Sequence, residues 1–157
     1  MSKPPPESRA MSFSRAELMV TTMPYQQNVH GDLFGGEILS LIDKGAAVAA
    51  IRHAGGSAVT ASIDRVDFKY PIPIGALVNV AATVDFVGNS SMEITVEVYS
   101  EIVSTGERTH THTAHVVFVA IDETGKPRRV ARLVPETDEE RARYESARRH
   151  REARDRS

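Results

Sequence analysis

One carboxylate, Asp43, lies within Glu37-Ile-Leu-Ser-Leu-Ile-Asp-Lys-Gly-Ala-Ala-Val-Ala-Ala-Ile51, a stretch otherwise so apolar that an ionised group inside it needs an explanation. At helical spacing its neighbours three and four positions away are Leu39, Ser40, Ala46 and Ala47, a surface of small and aliphatic groups. Such surroundings disfavour a bare carboxylate, so an acid placed there is kept wet, paired, or used to take a proton. Solvated and paired acids outnumber catalytic ones, and Lys44 and Arg52 can hydrate one edge of the helix.

Just upstream, Asn28-Val-His-Gly-Asp-Leu-Phe-Gly-Gly36 combines amide, imidazole and carboxylate groups with glycines ahead of a helix start. Free N–H groups at that start can hydrogen-bond a developing oxyanion. Equally, Gly31, Gly35 and Gly36 can simply turn the chain while Asn28 or Asp32 braces the loop. From Gly35 to Asp43 is about 12 Å along a helix axis, too far for both to flank one carbonyl. If they act together they come from different subunits, which places the site at a dimer interface.

The run His110-Thr-His-Thr-Ala-His115 suggests zinc, with His110 and His112 on one strand face and His115 on the other. Two imidazoles are not a metal site, nothing marks a third ligand, and Thr-rich strands often pair polar side chains. No Gly-x-Ser-x-Gly elbow exists, which argues against a serine hydrolase.

The elements that must position these groups are legible in outline. Residues 16–23 form a short extended segment ended by Pro24, and a polar loop leads to a helix over Glu37–Arg52 closed by Gly55-Gly56. That helix has hardly a polar face and demands cover from a sheet or a partner chain. Four long strands follow, Val59–Tyr70, Ala76–Val87, Met92–Ile102 and Glu107–Ile121, rich in Val, Ile, Thr and aromatics. Their connections are too short for parallel crossovers, so they pair antiparallel. The expectation is an α+β domain over residues 13–134, a curved sheet of about five strands wrapped around one helix. Residues 1–12 read as a disordered tail. Residues 135–157, dense in both signs of charge, read as a solvated helix with Glu139/Arg143, Glu145/Arg149 and Glu152/Arg156 pairs.

Composition narrows the chemistry. The 157 residues suit one core. With no cysteine there is no disulfide, thiol nucleophile or thiolate metal site. A formal charge of −2 offers no broad basic field for nucleic acid. The N-terminus has no apolar stretch suited to a signal peptide, and the longest apolar run, Gly45–Ile51, is far below the roughly 20 residues needed to cross a bilayer. A cytoplasmic protein is expected.

Three stretches together resemble the hotdog-fold acyl-CoA thioesterases of the acyl-CoA hydrolase branch: Asn28 to Asp43, Val59-Thr-Ala-Ser-Ile-Asp-Arg-Val-Asp-Phe68, and Pro71-Ile-Pro-Ile-Gly75 with the strand after it. The likeness runs from about residue 16 to 130. It implies a helix inside a wrapped antiparallel sheet, dimers joined sheet edge to edge, and commonly a hexamer formed as a trimer of dimers. Asp43 then matches the catalytic carboxylate, a general base on water with direct attack as the lesser variant. Asn28, from the opposite subunit, positions the thioester or the water, and Gly35 or Gly36 supplies the amide facing the thioester oxygen. Coenzyme A contacts carry over to His30, the turn Gly88-Asn-Ser90-Ser91, and Arg128 at the end of Lys126-Pro-Arg128. No metal or cofactor is implied. Two other readings are a hotdog dehydratase using His30 with Asp43, and a non-catalytic acyl-CoA sensor. The latter is disfavoured because the fifteen or so residues before the first strand are too few for a DNA-binding segment.

Overall fold

The computed structural model describes residues 4–156. A short strand β1 (Ser8–Ala10) and one helical turn α1 (Met11–Ser14) precede β2 (Ala16–Thr21) and a 3-10 turn at Pro24–Gln26. Then come α2 (Gly35–Ala54), β3 (Ala58–Phe68), β4 (Leu77–Val87), β5 (Ser91–Ile102), β6 (Glu107–Ala120), β7 (Arg132–Val134) and α3 (Asp138–Asp155). Five strands form one antiparallel sheet in the order β2-β4-β5-β6-β3.

Alternation along the central strands builds the inner face. Val78, Val80, Ala82 and Val84 of β4, Ile94, Val96 and Val98 of β5, and Ala114, Val116 and Phe118 of β6 are all at most 2% exposed. They cover α2 through Ile38, Ile42, Ala46, Ala49 and Ala50, all buried. Small residues let helix and sheet approach closely: a Cβ on Gly45 would stand 2.9 Å from Val80 Cγ1. The helix stops at Gly55, whose φ of +67° is a left-handed cap that a side chain would strain. Bulges in β3, β4 and the β5–β6 ladder add the bend that wraps the sheet around α2.

One side of α2 stays uncovered within the chain, with Leu39 and Ile51 exposed beside the edge strand β3. Along β3, Val59, Ile63 and Phe68 are exposed too. An unpaired edge of eleven residues carrying apolar side chains is a surface suited to further pairing.

Two expectations about the ends change. The tail reading fails from residue 8 onward, because Ser8–Ala10 pairs in parallel with Arg132–Val134 and Met11 is fully buried. Residues 1–3 of that reading lie outside the described residues. At the other end α3 does form, started by a Thr137/Glu140 capping box, but it is docked rather than merely solvated. Arg143 Nε donates to Asp85 at 3.0 Å, Arg154 reaches Glu93 and Asp64 at 2.7–3.0 Å, and Tyr144 stands edge-on to Phe86. Of the expected intrahelical pairs, Glu152/Arg156 forms at 3.8 Å, while Arg143 leaves Glu139 for Asp85 and Glu145 pairs with Arg148. The reason is dielectric: Asp85 and Glu93 are 4% and 6% exposed, and a buried carboxylate gains more from a cation than an exposed one does. Burial pushes the Asp85 carboxyl above its ordinary pKa even with Arg143 beside it.

Candidate active site

Asp43 projects from the middle of α2, half-buried, and Oδ1 accepts a hydrogen bond of 2.7 Å from Thr60 Oγ1 on β3. The hydroxyl fixes one carboxylate oxygen and leaves the other available. Sequence reasoning did not single out Thr60 as a partner of Asp43. A threonine on a half-exposed strand is ordinary, and only the packing of β3 beside α2 brings it to the acid.

Asn28 does two things at once. Its Oδ1 accepts from the backbone N–H groups of His30 (2.9 Å) and Asp32 (3.1 Å), and its own N–H donates to Asp32 O at 2.7 Å. The bracing role is therefore real, and Gly31 completes the turn at φ +83°. With both lone pairs of Oδ1 occupied, the side chain has only its Nδ2 donors left, and these have no acceptor among the described residues.

At the start of α2, Phe34 lacks a capping side chain and its carbonyl accepts from Glu37 and Ile38. The N–H groups of Gly35 and Gly36 consequently stay free among the described residues. A cleft of about 260 Å³ is lined by Asn28, Gly35, Ile38, Phe68, Tyr70 and His112, among others. Gly35 belongs to this cleft and Gly36 does not; a Cβ on Gly36 would instead meet the Phe34 ring at 2.6 Å. Asp43 does not line the cleft either, in keeping with the axial separation of helix start and acid.

The other predicted contacts are dispersed. His30 is exposed on the loop. Gly88 and Ser91 lie beneath the end of α3, where Ser91 Oγ accepts from Arg151 Nη1 and a Cβ on Gly88 would stand 2.7 Å from that oxygen. Ser90 contributes its carbonyl to Ala120 N–H. Arg128 donates to Ala54 O at 2.9 Å, closing the C-terminus of α2 with a cation where the helix dipole favours one.

The histidine run needs a correction. His112 pairs with Val98 but His110 with Tyr99, so Thr111 is an extra residue in the ladder. The bulge turns His110 and His112 to opposite faces, reversing the simple alternation. His110 joins Glu97 and Thr113 on the outer face, His115 lies opposite Thr95 toward α3, and His112 faces inward to the cleft. Among the described residues, no group of three His, Asp or Glu side chains is placed to hold a metal.

Residues 30–107 match the family model of the thioesterase superfamily. The chain is 44% identical over 135 residues to the uncharacterized acyl-CoA thioester hydrolase YkhA of Bacillus subtilis, with 86% of the chain and 78% of YkhA covered. It superposes with a TM-score of 0.88 and 36% identity on the acyl-CoA hydrolase of Staphylococcus aureus in complex with butyryl coenzyme A, coenzyme A and coenzyme A disulfide, covering 94% of the chain and 90% of that protein. A hexameric acyl-CoA thioesterase solved without ligand gives 0.92 at 39% identity, with 96% of each chain covered. The chain belongs to the thioesterase superfamily and has its hotdog fold. The S. aureus hydrolase has also been solved with alanine at its own Asp43, Thr60 and Asn28, the last with coenzyme A, and those residue types and numbers coincide with this chain's.

Proposed function

We propose that this protein hydrolyses acyl-CoA thioesters to a free carboxylic acid and coenzyme A. Water adds to the thioester carbon, its proton passes to Asp43, the carbon–sulfur bond breaks, and the thiolate leaves. The Gly35 N–H stabilises the oxyanion and the Asn28 Nδ2 donors orient the reactants. The residues need no metal or cofactor for this sequence.

The observation that carries the reading is the division of labour in one chain. The braced acid faces the uncovered side of α2, while the donors open onto a separate cleft. A second copy paired along the exposed edge of β3 brings the two halves together, giving two sites per dimer. Three such dimers make a hexamer, the state described for the ligand-free relative. No helix among the described residues is long and apolar enough to cross a membrane.

The test is release of free thiol from a panel of acyl-CoA chain lengths by wild type and Asp43→Asn, with mass measured by light scattering. Loss of a positioned base lowers kcat by roughly 10²–10⁴-fold. Unchanged turnover in Asp43→Asn removes the acid from the mechanism. Binding without turnover in wild type replaces the enzyme with a sensor, and hydration of enoyl-CoA replaces it with a hydratase.

A further inference from the structure

The cleft that holds Asn28 and Gly35 has a floor group with no role so far. His112 is 1% exposed, lines that cleft, and stands edge-on to Phe68 with ring centroids 4.9 Å apart. Its presence there is a product of the Thr111 bulge, whose carbonyl accepts from both Lys69 and Tyr70 N–H and holds the 68–70 segment over the ring.

Thr111 Oγ1 has one hydrogen for two neighbours, Val98 O at 3.2 Å and His112 Nδ1 at 2.8 Å. The carbonyl can only accept, so the hydroxyl serves both neighbours only in the tautomer whose Nδ1 carries the proton, and in that tautomer Nε2 offers a lone pair. Burial and then the charge of nearby His110 hold the imidazole's pKa down at about 4, so the ring is neutral at neutral pH. Nε2 has no partner among the described residues, and it is not one of the enclosed unpartnered polar atoms, so it opens to the cleft.

On the loop side of the cleft the Asn28 and Gly35 groups donate, since Asn28 Oδ1 is fully used and the glycine adds an N–H. An attacking water needs acceptors for both its hydrogens and keeps one lone pair for the carbon. We propose that His112 is the water-positioning residue of this site, Nε2 accepting one O–H while Asp43 of a second protomer takes the other proton and Asn28 Nδ2 donates to the oxygen. This rests on the thioesterase reading. His112 itself neither gains nor loses a proton. The Asp32 carboxylate also lines the cleft but is half-exposed, where bulk water competes for it.

Steady-state kinetics on acyl-CoA separate this role from packing. His112→Leu should lower kcat roughly 10–100-fold with KM within about twofold, and His112→Gln, whose Oε1 can accept, should recover most of it. Since Leu can unsettle the fold, ¹⁵N NMR of histidine-labelled wild type gives a second measurement, with Nε2 unprotonated and Nδ1 protonated from pH 8 to 5. Unchanged kcat in His112→Leu, a rise in KM alone, Gln no better than Leu, or a protonated Nε2 each overturn the proposal. An inactive wild type sinks the thioesterase reading; an active wild type with an indifferent His112→Leu sinks only this inference.

Discussion

Replacing Thr60 by valine probes the acid without touching it. The two side chains share shape and β-branching, so the strand and its packing are preserved while one hydroxyl is lost. That hydroxyl donates to Asp43 Oδ1 at 2.7 Å. A hydrogen bond to a charged group contributes about 1.5–3 kcal/mol, and since Thr60 is exposed in the single chain, water replaces part of it. A net loss of about 1–2 kcal/mol in holding the carboxylate corresponds to roughly 5–30-fold in kcat. The donors of the cleft are untouched, so KM should move by no more than about twofold. Thr60→Ser, which keeps the hydroxyl, should stay within a few fold of wild type. Thiol release at saturating acyl-CoA measures all three proteins. A Thr60→Val enzyme with wild-type kcat, or one altered only in KM, would refute the claim that this bond positions the base.

Gly35→Ala should fold normally, since the space its Cβ enters is open, yet lower kcat by roughly tenfold through misplacement of the reacting carbonyl; equal activity would move the donor role to Gly36. Arg143→Leu leaves Asp85 buried without its cation and should cost roughly 2–4 kcal/mol at neutral pH in denaturant unfolding, the guanidinium being partly exposed. Because the Asp85 pKa is raised in the fold, the native state binds its proton more tightly than the unfolded chain does. The cost should therefore shrink as pH falls through that raised pKa, and a penalty that does not shrink on acidification would contradict the assignment.

Local physics explains which features were readable. The strands are found within a residue or two of their expected bounds because alternation and turn chemistry act over short distances, as at Gly88-Asn89 and Ser104–Gly106. Arg143 defeats the same reasoning, since a helix-surface count sees Glu139 four residues away and not the buried Asp85 on β4. Strand β1 finds its partner more than a hundred residues downstream, and nothing in Ser8–Ala10 announces it.

The amino-acid order alone carries the buried helix, the antiparallel sheet around it, the acid at 43 and the donor-rich loop, because each is written in residues close together in the chain. Tertiary structure alone decides that Thr60 braces that acid, that a bulge at Thr111 turns His112 into the cleft, and that Gly35 lines the cleft while Gly36 faces Phe34. Each of these depends on register and on the approach of segments remote in sequence, and a shift of one residue in a strand exchanges its two faces.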